Sequence, residues 1–150
     1  MKDYLDKLKS ELKRADHLFY VSLKYTRTVD VIRSVIERLI NAFDVGMEGL
    51  LQKVKRRRKT LEVPEQPRKR AEVTKEVFAD DPQLIKFIDF YLGLRDIIQA
   101  RYDKAKEYRR NVRMITYLNL ETPMDVNIDL VLEFFEETKK FEEYVIEKLG

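Results

Sequence analysis

A chain of 150 residues, 44% of them hydrophobic and with eight Phe and eight Tyr, is long enough to bury one real core and too apolar for a disordered polymer. Only four Gly and four Pro argue for long uninterrupted helices over a turn-rich β architecture, and the lack of Cys excludes disulfides, thiolate nucleophiles and cysteine-held zinc or iron–sulfur centres. A formal net charge of +3 with 38% charged residues resembles the charge-dense composition of heat-adapted proteins.

The opening Met1-Lys2-Asp3-Tyr4-Leu5-Asp6 is charged and has no signal-peptide stretch. No window reaches the roughly 18–20 apolar residues of a membrane span, so a cytoplasmic protein with no membrane partner is expected. From Asp3 to about Tyr25, Leu5, Leu8, Leu12, Ala15, Phe19 and Leu23 recur every three or four residues and mark one face of a helix, widened by Leu18 and Val21. Thr26-Arg27-Thr28 interrupts it, with Thr28 suited to cap the next helix. That helix runs from Val29 towards Arg58 through Ile32, Ile36, Leu39, Phe43, Met47, Leu50 and Val54, and the short connection makes the pair an antiparallel hairpin. Gly46 and Gly49 inside it are read as seats for another backbone in preference to a break, because the stripe continues beyond them.

Pro64 and Pro67 place a loop over Lys59 to Arg70, followed by a short helix over Ala71 to Ala79. Asp81-Pro82 is a cap with proline at the first helical position, and the helix it opens runs to about Tyr102. In Asn111 to Leu120, Val112, Met114, Thr116, Leu118 and Leu120 alternate as a strand does, while Val112, Ile115 and Leu118 also suit a helix. A short extended segment, with a hairpin turning at Thr122-Pro123-Met124-Asp125, is preferred. The last helix starts at Asn127 or Asp129 and runs to Leu149, with an acidic outer face. The expected fold is all-α, a single domain over 1–150 forming a four- to five-helix bundle with a long antiparallel helix hairpin and room for one short β-hairpin before the last helix.

Catalytic constellations are missing. His17, the one histidine, follows Asp16, and neighbours in a helix point about 100° apart, so a partly buried structural histidine is the expectation. Asp44 and Glu48 share a helix face without the histidines of a di-metal bundle, which makes salt bridges or a solvated acidic patch the better reading. There is no P-loop, Gly-x-Gly-x-x-Gly or Gly-x-Ser-x-Gly. No catalytic residue, metal or cofactor is expected.

Charge is segregated instead. Residues 51–75 hold ten Lys/Arg against three Asp/Glu, residues 101–113 six against two, and residues 114–150 three against nine. Lys53, Lys55, Arg56, Arg57, Arg58 and Lys59, followed by Arg68-Lys69-Arg70, form the strongest local signal. Such a cluster suits phosphate contacts, cations placed at a helix C-terminus, or pairing with the acidic last helix within one molecule or across a dimer. Arg101, Arg109, Arg110 and Arg113 form a second cluster with Lys104 and Lys106, interleaved with Tyr102 and Tyr108, which suits nucleic acid better.

Ala15-Asp16-His17-Leu18-Phe19-Tyr20-Val21 followed by a long helix through Asn41-Ala42-Phe43 resembles the HEPN superfamily, in particular its archaeal members, over most of the chain. The resemblance implies a helical bundle, a homodimer, and contact with RNA or a partner protein. The family's ribonucleases carry an Arg, four to six intervening residues, and then a His. Here Arg109 or Arg110 matches the arginine, while Met114, Ile115, Thr116 and Tyr117 stand where the histidine falls. A guanidinium keeps its proton near neutral pH and cannot replace it. The expected function is therefore a non-catalytic binding module that uses the two basic clusters. A residual ribonuclease built on Arg109, Arg110 and Tyr117, or an antitoxin-like or assembly protein that binds protein only, is the alternative.

Overall fold

The first apolar stripe becomes α1 (Lys2–His17) in the computed structural model, which describes residues 1–119 and 121–150. A π-helical turn at Leu18–Ser22 and a last helical turn, α2 (Leu23–Tyr25), continue it. The wider turn keeps Ala15, Phe19 and Leu23, four residues apart, on the buried face. Thr28 then caps α3 (Val29–Lys55), its hydroxyl accepting from the Val31 amide at 3.3 Å. α1 and α3 are antiparallel, since Tyr4 lies against Gly49 and Glu11 pairs with Arg38.

α4 (Pro67–Val77) begins earlier than the periodicity suggested, because Pro67 is the first helical residue and Gln66 caps it by accepting from the Lys69 amide. α5 (Pro82–Gln99) opens at the expected Asp81 cap and runs antiparallel to α3. It stops three residues before Tyr102. Residues Tyr102–Ala105 form β1, which pairs with β2 (Arg113–Thr116), itself paired with β3 (Met124–Asn127). The order is β1-β2-β3, all antiparallel, so a small three-stranded sheet replaces the single hairpin expected from the sequence. The expected turn at 122–125 is in part strand β3. Val112, Met114 and Thr116 alternate inwards as read, Leu118 is exposed, and Leu120 lies outside the described residues. Asn127 caps α6 (Ile128–Leu149) through the Leu130 amide. The described residues are thus mostly helical, with five long helices and one small sheet.

α6 lies along α3 because of two glycines. A Cβ at Gly46 would fall 2.5 Å from the Phe141 ring, and one at Gly49 would fall 2.9 Å from Leu149 and 3.0 Å from Tyr4. The helix runs through both glycines unbroken, as expected, but they seat side chains and not the expected backbone, since the atoms nearest them belong to Phe141, Val145, Leu149 and Tyr4. Phe141 stacks on Phe43 with ring centroids 4.3 Å apart and meets Phe87 edge-on, which joins α3, α5 and α6 in one aromatic core.

Asp44 lies at the junction of α3, α4 and α5. Its carboxylate accepts from the guanidinium of Arg70 at 3.1 Å, from that of Arg95 at 3.0 Å, and from the Tyr91 hydroxyl. Arg95 Nε also donates to the Tyr91 oxygen at 2.5 Å. Burial, then the hydrogen bond to Asp44, pushes the Tyr91 phenol well above its ordinary value, so it remains a donor. The acid thus belongs to a network with α4 and α5, and the salt bridges expected across the α1–α3 hairpin involve Glu11 and Arg38 instead.

Removing one partner of a buried ion network leaves the others uncompensated. Asp44→Ala, which strands two guanidiniums, is expected to lower stability by about 3–5 kcal/mol in urea or guanidinium denaturation. An unchanged midpoint would show that water already screens these charges. Acid sensitivity has a different origin. Burial works to raise the Asp81 carboxyl, but the Tyr144 hydroxyl at 2.5 Å, the Leu84 amide and Lys148 outweigh it, and the group sits below its ordinary value of 3.8. A lowered carboxyl contributes stability that is present above the ordinary value and lost as pH falls through the lowered one. Asp81→Asn keeps a competent cap but has no such titration. Its stability should fall less steeply in acid than that of the parent, the gap closing as pH drops; parallel acid limbs would exclude Asp81 as a contributor.

Candidate nucleic-acid interface

At 1.5 Å per residue, the 27 residues of α3 span about 40 Å. Lys53, Lys55, Arg56, Arg57, Arg58 and Lys59 stand at its C-terminal end. The second cluster belongs to the β1–β2 hairpin, which docks on the N-terminal end of the same helix. There Tyr108 donates its amide to the Arg27 carbonyl at 2.6 Å, Glu107 accepts from the Val29 amide at 3.0 Å, and Lys104 pairs with Asp30 at 3.2 Å. The two basic clusters therefore occupy opposite ends of the protein and do not form one face.

Their cations are also committed to different extents. Arg68 pairs with Asp96 at 2.8 Å and bonds Gln99, and Arg70 is buried against Asp44, so two of the three cations in the Arg68-Lys69-Arg70 run serve the fold. In the hairpin, Arg101 lies 4.9 Å from the centre of the Tyr117 ring and Arg113 pairs with Asp125 at 3.5 Å. Arg109 and Arg110 are exposed, and among the described residues neither these two nor Lys55 to Lys59 enter an ion pair. No ion pair of the described residues joins 53–59 to the acidic face of α6; the contact there is Lys53 Nζ donating to the Lys148 carbonyl.

The hairpin tip is the less ordinary of the two ends. Lys106 and Tyr108 both have positive φ, 55° and 65°, where side chains other than glycine's are disfavoured. Such strain persists only where the surroundings hold it, and here the Arg27 carbonyl and the capping bond of Glu107 do so. The outcome is a tyrosine ring, 75% exposed, set between Lys106 and the Arg109-Arg110 pair. Tyr25, 77% exposed, precedes Arg27 by two residues and lies beneath Lys24. Tyr20, 52% exposed, shares a recess of about 230 Å³ with Phe19, Lys24, Arg27 and Ile128. A neighbouring recess of about 370 Å³ shares Ile128 and places Arg110 beside the Arg113–Asp125 pair and Asp129, so the aromatic surface adjoins a recess of mixed charge.

Tyr20, Lys24, Tyr25 and Arg27 were not among the binding residues expected from the sequence. Their signal was available, since Tyr20 and Tyr25 fall off the buried stripe of the first helix, but nothing local linked them to a hairpin 80 residues away. His17 is exposed, not partly buried, because the π turn that follows carries the buried face through Ala15 and Phe19. It borders a shallow depression with Lys13, Arg14 and Arg38, on different residues from the recess of Arg110. Tyr117 donates to Asp103 at 2.7 Å, beyond the far end of β2 from Arg109 and Arg110, so the three residues of a residual nuclease are not gathered. Met114 and Thr116, where the resemblance would place a histidine, are buried strand residues.

Comparison with family models, curated proteins and solved structures finds no match.

Glu107 links the hairpin to α3 as a cap supplied from a distant segment. Glu107→Ala should cost about 0.5–2 kcal/mol, the ordinary value of a helix cap. Amide exchange should quicken at Val29 and Tyr108 together and stay unchanged in α6. Protection lost at Val29 alone would show that Tyr108 does not depend on this bond.

Proposed function

We propose that the protein is a non-catalytic, HEPN-like helical bundle, dimeric and cytoplasmic, that binds single-stranded RNA at the hairpin end of α3. The observation that carries this reading is Tyr108, held open on a strained turn among Lys106, Arg109 and Arg110 and bonded through its amide to Arg27, two residues from Tyr25. Bases without a partner strand stack on exposed aromatic rings while cations follow the phosphates, and this end supplies both. Tyr20, Lys24, Arg27 and Tyr25 extend the surface beyond the hairpin. The reading needs no proton shuttle, in keeping with an exposed His17 that borders a different depression from Arg110.

A short labelled RNA should bind with an affinity that falls as salt rises, and Arg109→Ala or Arg110→Ala should each reduce the logarithmic salt slope by about 0.7. Tyr108→Ala should weaken binding by about 1–3 kcal/mol with the slope unchanged, the signature of a lost stacking contact. The RNA should remain uncut in these samples. No binding at low salt removes the proposal, and RNA affinity indifferent to Tyr108 would make a protein the better candidate for this surface.

A further inference from the structure

At the other end of α3, the ends of α3, α4 and α6 leave a recess of about 350 Å³ lined by Leu50, Lys53, Val54, Arg57, Arg58, Phe78 and Lys148. Its chemistry is two-part. Leu50, Val54 and Phe78 make an apolar floor, while Lys53, Arg57, Arg58 and Lys148 supply four cations and no lining residue is acidic. A helix C-terminus favours cations nearby, which accounts for charge at this position but not for an apolar recess under it. The volume falls in the range of small-molecule pockets.

The lining side chains decide which molecule fits. Each polar one is a cationic donor, and none is a side-chain acceptor. A nucleobase amino group or a sugar hydroxyl entering the recess would give up water without a side chain to receive its hydrogen, an unfavourable exchange. An aliphatic chain has no such hydrogen to place. The cations at the mouth repel one another and are relieved by a compact anion of more than one charge. Lys53, which lines the recess, gives one hydrogen to the Lys148 carbonyl and keeps two further donors.

We infer that this recess binds a phosphate monoester of an aliphatic chain, the chain on Leu50, Val54 and Phe78 and the phosphate among Lys53, Arg57, Arg58 and Lys148. The site is independent of the RNA surface, which lies at the opposite end of α3. The ligand chemistry is shared by a free alkyl phosphate and by the phosphate end of an anionic lipid.

Calorimetry with butyl, hexyl and octyl phosphate on the intact protein tests the assignment. One site per chain is expected, with affinity rising about fourfold per methylene, the transfer free energy of a buried CH₂. Octanol and inorganic phosphate should bind far more weakly than octyl phosphate. Arg57→Gln and Arg58→Gln, both at exposed positions, should each reduce octyl phosphate affinity on the order of tenfold while circular dichroism stays unchanged. Phosphatidic acid vesicles, which present a phosphate monoester, support the site with a lipid as its source if they displace octyl phosphate; octyl phosphate that binds undisplaced supports it with a free ester. Affinity independent of chain length, or inorganic phosphate binding as tightly as octyl phosphate, overturns the inference and leaves a cationic helix end.

Discussion

The Asp44 carboxylate receives hydrogen bonds from two arginines and a tyrosine, and through them α4 and α5 are held to the middle of α3. α4, whose charged sequence buries only Arg70, Ala71 and Thr74, is also tied to α5 by the Arg68–Asp96 and Lys75–Asp89 pairs. Arg70 also donates to the carbonyls of Pro64 and Glu65, so the segment leading into α4 is set by the same guanidinium. The position of Phe78 at the end of α4, and with it one wall of the apolar recess, follows from that anchoring. An acid in the middle of a long helix thereby contributes to geometry near the helix end.

Arg33 does comparable work towards the N-terminal end. Its guanidinium lies 4.0 Å from the centre of the Tyr102 ring and donates to the Ile98 carbonyl at 3.0 Å, tying α3 to the end of α5 and to the first strand. With Glu107 capping α3 from the hairpin, this explains why the sheet sits where it does. It also explains how a turn with two unfavourable backbone conformations persists. Strain of about 1–3 kcal/mol per residue is tolerable where the flanking segments are otherwise overdetermined.

The two ends of α3 carry the same sign of charge for different physical purposes. At the hairpin, cations flank one exposed ring, Tyr108, which suits a flexible polyanion with flat faces. At the other end, cations surround a concave apolar floor, which suits a small amphiphile. Net charge alone could not separate these cases, because electrostatic attraction does not depend on the shape beneath the charge.

Much of the helical framework was legible in the chain itself. Thr28 and Asp81 act as caps where the sequence placed them, since capping depends on a side chain and amides two or three residues away, and Asn127 caps the last helix at one of its two expected starts. Gly46 and Gly49 announced a close approach because a helix bears their cost for little else. Strand β1 was not legible: its backbone bonds are completed by residues about a dozen positions later, and no local period records that partner. Nor could the sequence say which arginines were free, since Arg56 and Arg70 look alike until Asp44 is brought to one of them. Local hydrogen bonding and hydrophobic periodicity belong to the sequence by itself. Tertiary structure alone decided the sharing of charges and the bond of Tyr108 to Arg27, because both depend on contacts between segments far apart along the chain.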